Sequence, residues 1–311
     1  MIVPLALGSA LVPSIASAVD GSGVFSAKAV ATIRSCGEEP VQGFATLKER
    51  ASDEGVKQVD VFMQVEGIPS GKRAVHIHEA GICEPCGDAG GHFDPGPAGL
   101  SSPDGNHPFH SGDLINIEAR GPSALLTTRT SRITLSPGPL SVFDQNGSAF
   151  IVHVNPDTYC EGGEVAGCAG GARAACGIIE NVATIDDFEL AVSTKDKRER
   201  ATLLDGTELT DDAYVFLSPL YPSTPVESVE FYIDGLLVNT ETDGPYDLLG
   251  SKDDGKKGEK LDTDRLQDGT HVVSAIINLA DGSETYVSSQ FTVDNDKKRF
   301  LNGSENAHAH H

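Results

Sequence analysis

The segment AVHIHEAGIC, residues 74–83, decides the fold of the first half of the chain. Successive side chains of a β-strand point to opposite faces, so His76 and His78 would project together while Val75 and Ile77 face a core. Two imidazoles on one face suit copper, zinc or nickel. A half-exposed strand that carries two histidines by chance is the alternative interpretation, and the rest of the chain has to distinguish the two.

Short runs of alternating apolar and polar residues recur along the chain. Examples are VDVFMQVEGI at residues 59–68 and HVVSAIINLADG at residues 271–282, and Gly, Pro, Asp and Asn separate such runs. This pattern predicts strands and turns, and no long stretch has the helical period. The chain of 311 residues is long enough for two domains. An all-β protein is therefore expected.

The formal net charge of −23 limits the partners of the protein. Binding to nucleic acid requires a basic face, so this charge argues against a nucleic-acid partner and against adhesion to anionic lipid. No later segment reads as a membrane span, which argues against membrane insertion.

The first 18 residues, MIVPLALGSALVPSIASA, look like a signal peptide that is cleaved after Ala18. The basic region that should precede the apolar stretch is missing, so the start is expected to be truncated. An ordinary apolar strand is the alternative. The even number of cysteines, six, agrees with export and disulfide bonds. A secreted, periplasmic or cell-surface protein is expected.

Further potential metal ligands follow the opening segment. His92 lies in GGHFDP, and His107, His110 and Asp113 lie close together in GNHPFHSGDL. Three histidines and one aspartate would make a closed tetrahedral site of the kind that suits zinc. His153, in the alternating run AFIVHV, could bring another imidazole to the first pair.

In this order and spacing, residues 26–180 closely resemble the copper/zinc superoxide dismutase family. The matching features are HIH, GGHFDP, the H-x-x-H-x-G-D-L segment, the strand histidine and GARAACGII. The resemblance implies a Greek-key β-barrel or flattened sandwich, with copper and zinc as cofactors. It implies that His92 bridges the metals and that Arg173 receives the anionic substrate beside the copper. The implied copper ligands are His76, His78, His92 and His153, and the implied zinc ligands are His92, His107, His110 and Asp113.

The resemblance also implies a supporting carboxylate. Asp157 stands where the family has an aspartate that hydrogen-bonds one copper ligand and one zinc ligand, here His76 and His107. A ligating imidazole needs its other N–H held, or its orientation drifts. A plain loop carboxylate is the alternative interpretation of Asp157.

The cysteine positions leave the disulfide pattern open. Cys176 resembles the strand partner of the family's disulfide. Its mate is Cys83 when positions are measured forward from His78, as in many bacterial members, and Cys86 when they are measured back from His92, as in animal members. We favour Cys83, which would leave Cys36 for Cys86, and Cys160 could pair with Cys168 in one loop.

The second half of the chain differs in composition from the first, since all six cysteines lie before residue 180. VESVEFYIDG, LQDGTH and FTVD resemble bacterial immunoglobulin-like modules over about residues 208–296. The expected organisation is a signal peptide at 1–18, the metal domain at 19–183, a charged linker at 184–206, an immunoglobulin-like β-sandwich at 207–297 and a tail at 298–311. The tail contains His308, His310 and His311, and a plain solvated tail, a cloning remnant and a copper-gathering segment are all compatible with it.

The resemblance implies that the protein dismutates superoxide, and a homodimer is compatible with it. A metal-binding or surface module on the same fold, without turnover, is the alternative, and the presence of all seven ligands together with Arg173 favours the enzyme. The partner of the second domain is not evident. This chain departs from animal members in one respect, because the segment between His153 and Arg173 has no lysine to guide the substrate.

Overall fold

The structure, a computed structural model, describes residues 27–38, 40–51, 55–95, 110–121, 123–160, 166–182 and 187–297. The predicted signal peptide and the histidine-containing tail lie outside these residues. Strands are the main regular structure of the described residues, which otherwise contain only short 3₁₀ turns and a last helical turn, so the predicted all-β fold is confirmed. Within these ranges no helix is long and apolar enough to cross a membrane.

The first unit is a curled sheet around one hydrophobic core. Its strands are β1 (Ala27–Ser35), β2 (Gln42–Ala51), β3 (Lys57–Glu66), β4 (Gly71–Arg73), β5 (Val75–His78), β6 (Ile117–Ala119), β7 (Ser123–Thr130), β8 (Ala149–His153), β9 (Arg173–Ile178) and β10 (Glu180–Asn181). The main sheet has the order β5-β8-β9-β1-β2-β3-β7, β10 pairs with β1, and β4 pairs with β6 separately. The connection from β3 to β7 and the pairing of β1 with β9 skip intervening strands, as in a Greek key.

Alternation of residue types along the strands explains which face of this sheet covers the core. In β1, Ala29, Ala31 and Ile33 are buried in the core, while the residues between them are only partly buried. In β5, Val75 and Ile77 belong to the same core, as the sequence predicted. The opposite face of β5 is then free to present His76 and His78 elsewhere.

The second unit has two main sheets around a separate hydrophobic core and one short two-stranded sheet. Its strands are β11 (Glu189–Ser193), β12 (Thr202–Leu203), β13 (Thr207–Leu209), β14 (Tyr214–Ser218), β15 (Val226–Ile233), β16 (Leu236–Glu241), β17 (Ser251–Lys252), β18 (Lys257–Gly258), β19 (Gly269–Leu279) and β20 (Glu284–Val293). One main sheet has the order β12-β11-β14, the other has the order β13-β20-β19-β15-β16, and β17 pairs with β18 separately. Apolar side chains from both sheets meet in one cluster, as in a β-sandwich.

The predicted linker at residues 184–206 requires a correction, because it contains β11 and β12. Phe188, Leu190 and Val192 alternate into the core of the second unit. The charged part of the segment is not fully solvated either. Arg198 is buried and forms two parallel hydrogen bonds with the Asp247 carboxylate, so its charge is compensated inside the fold. Sequence reasoning missed this pairing because the two residues are 49 positions apart.

The two units pack against each other. The outer face of β2 and β3 of the first unit contacts β19 and β20 of the second unit. Phe44 of β2 stacks on Tyr286 of β20 with ring centroids 4.8 Å apart, and Phe62 and Val272 complete a small apolar cluster. Beside this cluster the Thr46 and Ser288 hydroxyls lie 2.6 Å apart. As a result, strand β2 is buried on both faces, with its inner face on the barrel core and its outer face on the second unit.

Candidate metal centre

Two strands place three histidines in one buried cluster. His76 and His78 lie on β5, which pairs antiparallel with β8, and His153 is the last residue of β8. His76 is 0% exposed and His78 is 2% exposed, so the interpretation of a half-exposed strand is wrong. His92 reaches the cluster through an isolated bridge to His78. Each of the four histidines offers one nitrogen, and the four nitrogens lie within 4.8 Å of one another.

Hydrogen bonds hold the outer nitrogen of each strand histidine. His78 Nδ1 donates to Gly90 O at 3.0 Å, and His153 Nδ1 donates to Gly171 O at 3.0 Å. His76 Nε2 donates to Asp157 Oδ2 at 3.0 Å. These contacts place an N–H on the outer nitrogen of each ring, which is the tautomer that has a lone pair on the inner nitrogen.

The inner nitrogens fit a metal ion. His76 Nδ1 and His153 Nε2 face each other at 3.2 Å, and the outer hydrogen bonds assign a lone pair to both atoms. His78 Nε2 is buried and has no hydrogen-bond partner among the described atoms. A buried polar atom of this kind is costly unless a ligand satisfies it. A cation among these lone pairs removes that cost.

Burial also keeps these rings in the form that binds metal. Burial, with smaller effects of nearby His92, Arg173 and His153, lowers the pKa of His78 to about 2, although the hydrogen bond to Gly90 O acts in the opposite direction. Burial and the neighbouring His76 lower the pKa of His153 to about 3. Both imidazoles are therefore neutral at ordinary pH, as metal ligands must be.

A second ligand group shares His92 with the first. His92 Nδ1 lies 2.7 Å from Asp113 Oδ1, and His110 Nδ1 lies 3.3 Å from Asp113 Oδ2. The ligand atoms of these three residues also lie within 4.8 Å of one another. The remaining predicted zinc ligand, His107, lies outside the described residues. His92 therefore belongs to both ligand groups, as a histidine that bridges two ions must.

Arg173 lies beside the histidine cluster. It pairs with His153 across β8 and β9 at a bulge in the ladder. Its Nη1 donates to Cys86 O, in the first residue of the 3₁₀ turn Cys86–Ala89, and its Nη2 donates to Gly90 O, in the residue after the turn. Burial lowers the pKa of Arg173, but a guanidinium stays charged in proteins. The site thus contains a fixed positive charge next to four histidines.

Comparison with known proteins agrees with this geometry. Residues 41–179 match the family model described as copper/zinc superoxide dismutase (SODC). The chain is 34% identical over 128 residues to the extracellular copper-zinc superoxide dismutase of Drosophila melanogaster, covering 40% of this chain and 68% of that protein. It is 35% identical over 150 residues to copper-zinc superoxide dismutase 2 of Aquifex aeolicus, covering 46% of this chain and 81% of that protein.

The chain belongs to the copper/zinc superoxide dismutase family. The cofactors of this family are copper and zinc, and the histidine cluster can bind metal. The family match ends at residue 179, so it does not reach the second unit. The immunoglobulin-like character of that unit stays a prediction.

The structure of this superoxide dismutase family member contains three disulfides. Cys83 pairs with Cys176, Cys36 with Cys86, and Cys160 with Cys168. The alternative pairing of Cys86 with Cys176 is not adopted. The segment 83–90, which contains the carbonyl oxygens that accept from Arg173, is therefore attached twice, once to Cys36 just after β1 and once to Cys176 of β9.

Asn116 and Arg132 also support the metal centre, and sequence reasoning missed both. Asn116 Oδ1 accepts from Asp157 N at 2.8 Å and its Nδ2 donates to Asp157 O at 2.9 Å. Arg132 donates to the carbonyl oxygens of His110 and Asp113. Asn116 stands three residues after Asp113 in the ligand segment, which was the one available signal. Arg132 had none, since it lies about twenty residues away.

Proposed function

We propose that this protein is a superoxide dismutase, which converts two superoxide anions and two protons to oxygen and hydrogen peroxide. The observation that carries the proposal is the pair of ligand groups that share His92, with the Arg173 guanidinium beside them. Copper would be held by His76, His78, His92 and His153. Zinc would be held by His92, His107, His110 and Asp113.

When bound, copper supplies the one-electron oxidation of one superoxide and the one-electron reduction of the next, while zinc keeps one oxidation state. The residues of the chain supply the surroundings. Arg173 offers N–H donors and a positive charge to an anion, and the carbonyl oxygens of Cys86 and Gly90 hold its orientation. His92 Nδ1 lies beside the Asp113 carboxylate, which keeps the ring in place. The other nitrogen, His92 Nε2, could then carry one of the protons that the reaction consumes.

Asp157 is proposed to orient His76 by accepting its outer N–H. The proposed location is secreted, periplasmic or cell-surface. Three disulfides and the similarity to a protein named as extracellular support this location.

Metal analysis and a superoxide turnover assay test the proposed function. We expect one copper and one zinc per chain and loss of turnover when copper is removed. A protein that binds zinc but takes up no copper would refute the enzyme. A protein that binds both metals without turnover would instead be the metal-binding module.

Reversal of the charge at Arg173 tests the role of that residue. Arg173→Glu should lower kcat/KM about tenfold to hundredfold, because a charge-assisted hydrogen bond is worth about 1.5–3 kcal/mol, and the metal content should not change. Arg265→Glu makes the same change of charge at an exposed position of the second unit and serves as the control. Equal turnover in the two variants would show that Arg173 does not receive the substrate.

A further inference from the structure

Arg132 connects the loop after β7 to residues 110–113, which carry two members of the second ligand group. These four residues are called the ligand turn below. Its Nη1 donates to His110 O at 3.0 Å and its Nη2 donates to Asp113 O. The two acceptors are the backbone carbonyls of two residues whose side chains lie in that group. One planar guanidinium therefore contacts the backbone of both.

The ligand turn itself is short and is held at its centre. His110 N donates to Asp113 Oδ2 at 3.2 Å, and Asp113 N donates to His110 O at 3.3 Å. Gly112 N donates to Phe93 O, and Gly112 O accepts from Ile77 N. A side chain at residue 112 would collide with Ile77 O, which explains the glycine. These bonds fasten the middle of the turn to the barrel, and Arg132 fastens its two ends.

The loop that carries Arg132 is itself anchored in the barrel. Arg132 N donates to Thr130 Oγ1 at 3.1 Å. A few residues later, Leu135 N and Ser136 N both donate to Glu49 Oε2, at 2.7 and 3.0 Å. Glu49 lies on β2 and is 0% exposed. The loop that carries the guanidinium is thus hydrogen-bonded to a buried side chain of the main sheet.

We propose that Arg132 is a positioning residue for the zinc site, which fixes the spacing of His110 and Asp113 before the ion binds. The inference rests on the proposed zinc assignment. The rigid fork of a guanidinium holds two carbonyl oxygens at a set separation, whereas the point charge of a lysine cannot reproduce that geometry. Partners that orient ligand residues are typically worth about 10–100-fold in metal affinity.

The test compares full-length Arg132→Gln and Arg132→Lys with the parent protein. Zinc release to a competing chelator gives the affinity, and cobalt(II) placed in the zinc site reports ligand geometry through its visible absorption. Arg132→Gln should bind zinc about 10–100-fold more weakly and change the cobalt spectrum. Arg132→Lys should fall between Arg132→Gln and the parent. Copper should stay bound, because His76, His78 and His153 stand on strands.

Arg129→Gln is the matched control, because Arg129 precedes Arg132 by three residues and pairs with Asp60 instead of the ligand turn. An unchanged zinc affinity and cobalt spectrum in Arg132→Gln would overturn the inference, and so would an equal loss in Arg129→Gln. If the parent protein takes up neither zinc nor cobalt, both the inference about Arg132 and the zinc assignment are overturned. Zinc binding without dismutase activity would refute the proposed function alone. If Arg132→Gln does not fold, Arg132→Lys decides the question through the same two readouts.

Discussion

At the scale of single residues, Asn116 supports the predicted ligand His76 through the intervening Asp157. Asn116 pairs with both backbone groups of Asp157, in the manner of a neighbouring strand, and Asp157 in turn accepts from His76. Tyr159 N donates to the other carboxylate oxygen of Asp157 at 2.7 Å. The orientation of His76 is therefore determined by contacts two steps away.

Removal of the Asn116 side chain should weaken this support. Asn116→Ala deletes two hydrogen bonds to buried backbone and should lower the free energy of unfolding by about 2 kcal/mol. It should also weaken copper binding, because Asp157 and His76 lose their fixed orientation. Thermal unfolding and chelator competition measure these effects. Asn146→Ala removes an exposed side chain and is the control, and a variant at Asn116 that behaves like this control would contradict the prediction.

At the scale of elements, one histidine joins the turn of a hairpin to the neighbouring strand in the second unit. His271 of β19 donates from Nδ1 to Asp234 Oδ2 at 2.6 Å and from Nε2 to Gln267 O at 2.7 Å. Asp234 lies in the turn between β15 and β16, and its other carboxylate oxygen accepts from Val272 N. Both ring nitrogens donate, so this geometry favours the protonated imidazole.

This contact should make the stability of the second unit depend on pH. Burial lowers the pKa of His271, but the hydrogen bond to Gln267 O and the Asp234 carboxylate outweigh burial, so the pKa is raised above 6.5. The contacts of the protonated His271 ring therefore stabilise the folded state fully below pH 6.5, the unfolded pKa. This stabilisation is lost as the pH rises through the higher pKa of the folded state. His271→Gln should therefore destabilise the protein more at pH 5.5 than at pH 9.

Thermal unfolding of parent and variant at each pH measures this difference, and contributions common to both proteins cancel. Asp234→Asn removes the charge that favours the imidazolium and should reduce the same pH dependence. A difference between parent and His271→Gln that is constant with pH would show that the ring stays neutral.

At the scale of the whole molecule, the second unit covers a face of the barrel. Phe44 is 1% exposed and Phe62 is 4% exposed, and Val272 and Tyr286 of the second unit contribute to that burial. Lys48 Nζ donates to Ser288 O at 2.6 Å and lies 3.6 Å from Glu189 Oε2, so a barrel cation is also compensated there. The two ligand groups and Arg173 all precede residue 174, so none of these residues belongs to the described part of the second unit.

Removal of the second unit should leave a barrel that binds metal but is less stable. A chain that ends at residue 186 exposes Phe44 and Phe62, and full burial of such a side chain is worth about 1.5–3 kcal/mol. We expect a lower Tm and a tendency to aggregate, with copper and zinc retained. Size-exclusion chromatography and thermal unfolding measure this.

Two substitutions serve as the control for the truncated chain. Phe44→Thr with Phe62→Thr should restore solubility to the truncated barrel and lower the Tm of the full-length protein. A truncated chain with the Tm and solubility of the parent would show that the interface contributes no stability. A truncated chain that cannot fold or bind metal would show that the two units are not separable.

The charge of the whole molecule also predicts how salt should affect the proposed turnover of superoxide. The net charge of −23 repels superoxide, and residues 154–172 contain three acidic residues and no lysine or arginine. Screening weakens this long-range repulsion, since the Debye length falls from about 30 Å at 0.01 M to about 10 Å at 0.1 M. We expect kcat/KM to stay constant or rise over this range. A steep fall would indicate positive steering that the sequence of this loop does not contain.

The sequence alone determined the parts of this protein that depend on local pattern. Alternation in residues 74–78 placed Val75 and Ile77 in the core and the two histidines on the other face, because the period of a strand is two. The order and spacing of the remaining ligands pointed to the family, because each ligand lies in a recognisable short segment. The β-strands of the second half followed from the same alternation.

Only the tertiary structure decided which distant residues meet. It paired Cys83 rather than Cys86 with Cys176, because the sheet register and the turn at Cys86–Ala89 set which sulfur atoms come together. It buried Arg198 against Asp247 in a segment whose charges predicted a solvated linker. It also brought Arg132 to the carbonyl oxygens of His110 and Asp113. Such contacts join residues far apart in the chain, and no local period or motif records them, since they depend on how the sheets curl and pack.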